Sequence, residues 1–217
     1  MAKHKINVPF FEIGPKSYLY GDDVLALALA ADKASEKYGV DVIFTCPVVE
    51  IRRVAEATKH IHVFAPHMDP IPVGRGTADT LAEALVAAGA EGTQLNHVEK
   101  PLDFDTLAAT IARAKEVGLM TMVCADSMAE ASKITALKPT CVVAEPSELI
   151  GTGISVGPEY VAAAFECVKS VDPDVLVLTA AGISNGQDVY NTIIAGADAT
   201  GSSSGVAKAA EIGRAHV

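Results

Sequence analysis

Short apolar runs recur along the chain, each followed by a longer stretch whose apolar positions repeat at helical spacing. The first run, 6–13, ends at Gly14, Pro15 and Lys16, and Pro9 inside it weakens the start of a strand because proline donates nothing to a sheet ladder. In 21–38, Val24, Leu25, Leu27, Ala28, Ala31 and Ala34 share a helical face behind Asp22 and Asp23, which suit the positive end of a helix dipole. The unit then repeats. Strand-like runs at 41–45, 60–65, 92–95, 119–124, 140–144, 175–179 and 196–200 alternate with helix-like stretches at 48–57, 79–88, 104–117, 127–137, 159–171 and 187–195, and a short helix closes the series. Strands alternating with helices call for a parallel sheet. Eight such units predict an α/β fold, a closed (β/α)8 TIM barrel of eight parallel strands. No Ser/Gly-rich or Pro-rich linker divides the chain, so one domain is expected over 1–217, with 213–217 set aside as a tail or fusion scar.

Composition narrows the class. Half of the 217 residues are hydrophobic, aromatics are few and Trp is absent, as suits short helices on a buried sheet. A net charge of −10 argues against a nucleic-acid partner gripped through phosphate neutralisation. It leaves room for a small anion, which feels local donors. Cys46, Cys124, Cys141 and Cys167 lie far apart with no C-x-x-C and no His at ligand spacing, which points to reduced thiols in a cytoplasmic protein and to no metal site. No apolar stretch reaches the ~18 residues of a membrane span, and the N-terminus lacks the apolar core of a signal peptide, so no membrane partner is expected.

In a barrel every strand's carboxyl end opens on one face, so Lys16, His97 and Glu145, which follow strands one, four and six, should converge. Three ionisable side chains on one rim suggest proton chemistry. Glu145 leaves an apolar strand and precedes Pro146, which stiffens the turn. Gly151 and Gly153 flank Thr152 in a loop suited to closing over an anion. The turns 180–184 and 201–205, after strands seven and eight, lie where barrels commonly bind phosphate through backbone N–H groups. A phosphate ester is the expected ligand. The connection 66–77 is too long for an ordinary turn, and reaching a neighbouring subunit is one use for such a loop. His62 and His67 read as structural, Cys124 as a packed thiol and Glu148 as a lid or cap carboxylate.

Four stretches carry a resemblance: 64–71 (Phe64, Ala65, then His67 to Ile71), Asn96-His97-Val98-Glu99, Gly118-Leu119-Met120-Thr121-Met122-Val123-Cys124, and 145–153 from Glu145-Pro146 to Gly151-Thr152-Gly153. Through them the chain resembles the triosephosphate isomerase family, in the short form found in archaea, over 16–208. The resemblance implies a cofactor-independent aldose–ketose isomerase of glycolysis and gluconeogenesis that interconverts glyceraldehyde 3-phosphate and dihydroxyacetone phosphate through an enediolate. By the family's division of labour, Glu145 would remove a proton beside the carbonyl, neutral His97 would polarise the carbonyl oxygens, Lys16 would supply positive charge and Glu99 would position Lys16. Phosphate contacts would fall on Gly151, Gly182, Ser184, Ser203 and Ser204. The 66–77 loop, with Arg75 and Thr77, implies a homo-oligomer, a dimer or tetramer.

The chain also departs from the family. Gly14 stands where Asn is usual, Val98 where Ser is usual and Ala180 where Gly is usual; Thr200, Gly201 and Ser202 precede Ser203 where apolar residues are usual. Lost polar groups alter discrimination steeply. A four-carbon ketose phosphate, given room by Gly14 and Val98, is therefore the alternative substrate. A sugar-phosphate-binding barrel without activity is a further alternative, against which the retained Lys, His and Glu count.

Overall fold

The computed structural model describes residues 5–209. Eight strands, β1 (Phe10–Ile13), β2 (Asp41–Thr45), β3 (Ile61–Ala65), β4 (Gly92–Leu95), β5 (Met120–Ala125), β6 (Cys141–Ala144), β7 (Leu176–Thr179) and β8 (Ala199–Ser202), pair in chain order into a closed barrel. All pairings are parallel, and β1 closes the ring on β8 with Phe10 opposite Ala199. Between them run α1 (Asp22–Tyr38), α2 (Ile51–Ala57), α3 (Ala82–Ala88), α4 (Phe104–Val117), α5 (Met128–Thr135), α6 (Pro158–Val171), α7 (Gly186–Ile194) and the short α8 (Ser204–Ala207). The expected (β/α)8 barrel is borne out. The 213–217 tail lies outside the described residues.

Two differences in boundary have clear causes. β1 begins at Phe10, after Pro9, because that ring cannot feed the ladder. β8 covers Ala199–Ser202, where 196–200 was expected, so Gly201 and Ser202 belong to the strand and not to its tip. Asp198 sits before the strand and accepts hydrogen bonds from the Val177 backbone N–H at 2.9 Å and from Lys169 Nζ at 2.8 Å.

Strand alternation sorts the core into two clusters. Phe10, Ile43, Phe64, Met122 and Leu178 point inward and fill the barrel. Phe11, Phe44 and Val63 point outward and meet Leu27, Ile111 and Val168 of the surrounding helices. Every residue of β5 is buried, as a sheet covered on both faces requires. Gly92 makes room for Phe64, whose ring lies 2.4 Å from where a Cβ at 92 would be. Caps fix several helix starts: Asp103 accepts from the Thr106 N–H at 3.0 Å, Ser127 from Glu130 at 3.2 Å, and Asn185 from Gln187 and Asp188.

The polar side chains of the barrel interior gather toward its ends. At the amino-terminal end of the strands His62 lies between Glu91, 2.9 Å from Nδ1, and Asp41, 3.6 Å from Nε2. At the carboxyl end Glu12, Thr45 and Gln94 form the floor of a mouth. Among the described residues no helix is long and apolar enough to cross a membrane.

Candidate active site

The mouth is a cavity of about 710 Å³ bounded by the turns after the strands. Lys16 enters from the turn after β1 with a φ of 48°, a left-handed conformation that costs a residue bearing a Cβ about 1 kcal/mol and that clusters at functional sites. Its Nζ donates to Glu99 Oε1 at 2.8 Å, and this bond holds Glu99 below the usual carboxylate range. The bond crosses the mouth between two turns and so aims the ammonium.

His97 follows β4 and the tightly held Asn96, whose amide donates to the Cys124 carbonyl and to Glu130 while its oxygen accepts from the Leu102 N–H. His97 Nδ1 accepts the Glu99 backbone N–H at 3.1 Å, so the proton of the neutral ring resides on Nε2. Burial, aided by the Lys16 charge, lowers the His97 pKa. The ring is thus a neutral donor on the wall of the cavity.

Glu145 ends β6. Burial raises its pKa, the Lys16 charge opposes that shift, and Glu99 and Asp126 add to it. Among the described residues no protein group donates a hydrogen bond to its carboxylate. Its backbone N–H is tied to the Ala125 carbonyl at 3.1 Å, and the next turn is anchored where Asp126 accepts the Ser147 N–H at 2.7 Å. A half-desolvated carboxylate on a fixed backbone is a stronger base than one in water.

The opposite wall is made of backbone. Ala181 and Gly182 take φ values of 87° and 70°, and Gly151 and Gly153 of the lid take 74° each. A Cβ at Gly182 would lie 2.0 Å from the Ile154 carbonyl oxygen, so the turn after β7 admits the far arm of the lid only because residue 182 has no side chain. On the same cavity, the Ser203 hydroxyl is buried and has no hydrogen-bond partner among the described residues. A buried orphan hydroxyl there suits a ligand oxygen.

All nine residues expected from the sequence, Lys16, His97, Glu99, Glu145, Gly151, Gly182, Ser184, Ser203 and Ser204, line this one cavity. A sequence model described as triosephosphate isomerase matches residues 16–212. The chain belongs to the triosephosphate isomerase family. The triosephosphate isomerase of Metallosphaera sedula is 35% identical over 95% of this chain and 92% of that relative. Those of Methanothermus fervidus and Methanocaldococcus jannaschii are each 38% identical, over 86% and 88% of this chain and 85% and 89% of the relatives. These likenesses favour the triose phosphate over the four-carbon and inactive alternatives.

Ser184 lies at the cavity, but its hydroxyl at 2.9 Å and its backbone N–H at 3.0 Å both donate to Asp188 Oδ2. His67 bonds Asp69 at 3.0 Å, as a structural histidine would, and also borders the cavity. The Cys124 thiol is buried with its pKa pushed up by that burial. Glu12, Thr45 and Gln94 escaped the sequence reading. A charged residue at an inward position of a strand was the available signal, since Glu12 shares its face with Phe10. Among the described residues no group of three or more His, Cys, Asp or Glu side chains is placed to hold a metal ion.

Proposed function

We propose that the protein interconverts glyceraldehyde 3-phosphate and dihydroxyacetone phosphate, with Glu145 moving the proton between neighbouring carbons. The observation that carries this reading is the meeting of a carboxylate that no described group bonds, one neutral imidazole and one paired ammonium around a cavity that also holds the positive-φ turn at Ala181 and Gly182 and the buried Ser203 hydroxyl. Glu145 takes the proton from the carbon beside the carbonyl. The resulting enediolate carries charge on its oxygens, where His97 Nε2–H and the Lys16 ammonium stabilise it more than they stabilise the ground state. The acid form of Glu145 then returns the proton to the other carbon.

Phosphate held by Gly151, Gly182, Ser203 and Ser204 fixes the reacting carbons against Glu145. The lid excludes water, which would otherwise weaken the base and release the enediolate's phosphate. In the same reading the enzyme is cytoplasmic and the 66–77 loop, with Val73 70% accessible, meets a second copy to give a dimer or tetramer. Light scattering of the purified protein checks that assembly.

Purified enzyme given either triose phosphate should form the other without added cofactor. Absence of turnover defeats the proposal. Glu145→Asp, which withdraws the base by about 1 Å, should lower kcat by roughly 10²-fold while KM moves little. An unchanged kcat removes Glu145 from the mechanism.

A further inference from the structure

Glu12 is a carboxylic acid that the mechanism above does not use. It points inward from β1 and lines the cavity floor, enclosed by protein on every side but the mouth. Thr45 Oγ1 donates to its Oε1 at 2.5 Å, and among the described residues Oε2 has no hydrogen bond from the protein. Two glycines surround it. A Cβ at Gly14 would lie 3.0 Å from Oε1, and one at Gly201 would lie 2.8 Å from Oε2. The carboxyl therefore occupies the room that a side chain at 14 or 201 would need.

We propose that Glu12 is a substrate-contacting residue that hydrogen-bonds a hydroxyl or carbonyl oxygen of the sugar phosphate from the cavity floor. The assignment rests on the isomerase reading. With Oε1 engaged by Thr45, a proton on Oε2 faces the cavity and makes the group a donor. Burial raises the carboxyl to about 7, the Thr45 bond pulls it down, Glu145 pushes it up and Lys16 pulls it down. Cys124 on β5 and Cys141 on β6 also feel this carboxyl, and burial keeps both thiols neutral. His97 and Glu99 lie farther round the same wall. As pH rises past 7, Glu12 loses its donor proton and places a negative charge before an anionic ligand.

The test is KM for dihydroxyacetone phosphate between pH 6 and 9. In the wild-type enzyme KM should rise several-fold per pH unit above 7. Glu12→Gln keeps the Thr45 bond and a neutral donor at every pH, so the rise should flatten. Glu12→Val removes the donor and should raise KM about tenfold at pH 6 with a smaller change in kcat. Glu145 and Lys16 are present in all three proteins, so a difference between their KM profiles originates at position 12. A Gln variant whose KM climbs with pH as the wild type's does, or a Val variant with unaltered KM, overturns the assignment. Wild-type enzyme that fails to turn over triose phosphate overturns the isomerase reading instead.

Discussion

His62 and His97 stand at opposite ends of one barrel and are driven in opposite directions. At the amino-terminal end, Glu91 and Asp41 raise the His62 pKa against the cost of burial. At the carboxyl end, burial and the Lys16 charge lower that of His97. The same side chain is thus pushed toward a cation that bonds the bottom of the barrel together and toward a neutral donor at its mouth. Carboxylates divide likewise: Glu91 is bonded to an imidazole, whereas Glu12 and Glu145 are shifted upward in a partly desolvated cavity. One end spends its polar groups on one another, and the other leaves them available to a ligand.

The largest expected effect tests the mouth. His97→Gln should lower kcat by roughly 10²–10³-fold, because it removes a donor aimed at the developing oxyanion. Its unfolding free energy should shift by no more than about 0.5 kcal/mol. A variant that loses stability and keeps its rate would break the contrast.

Next in size is Glu12. Its folded value of about 7 lies above the unfolded value of 4.5, so its ionisation is harder in the folded protein. The resulting cost is absent below the unfolded value, grows as pH rises and levels off above 7. Glu12→Gln should accordingly stabilise the fold by about 3 kcal/mol above pH 7 and by little at pH 4, read from urea titrations at both.

His62 sharpens the other side of the comparison. Because its folded pKa is raised, its contribution is fully present below the unfolded value near 6.5 and is lost as pH climbs through the folded one. His62→Gln should cost about 1–2 kcal/mol at pH 5.5, less at pH 8.5, and leave kcat as it was. The smallest effect is expected at Ala181, whose φ of 87° disfavours any residue with a Cβ. Ala181→Gly should add about 1 kcal/mol of stability, seen as a rise of a few degrees in Tm.

The barrel was legible because its strands are apolar on both faces and its helices on one, a difference of period that survives without any partner sequence. The cavity followed from it, since Lys16, His97 and Glu145 each sit just beyond the end of a strand. Glu12 was hidden by its neighbours: Phe10, Phe11 and Ile13 make the segment read as an apolar run, and Pro9 blurs which face is inward. β8 was displaced for the opposite reason. Gly201 and Ser202 look like a loop, and only Glu12, reaching from β1 over Gly201, explains why a strand there needs a bare backbone. The partners of His62, Asp41 and Glu91, come from the starts of two other strands and leave no local trace.

Gly182 has one more implication. Since the Ile154 carbonyl fills the place of its missing side chain, the segment that follows Gly153 and the turn after β7 are nested, like two fingers of a closed hand. Neither can shift far without dragging or unseating the other. A methyl group added at this single position would have to part the two segments.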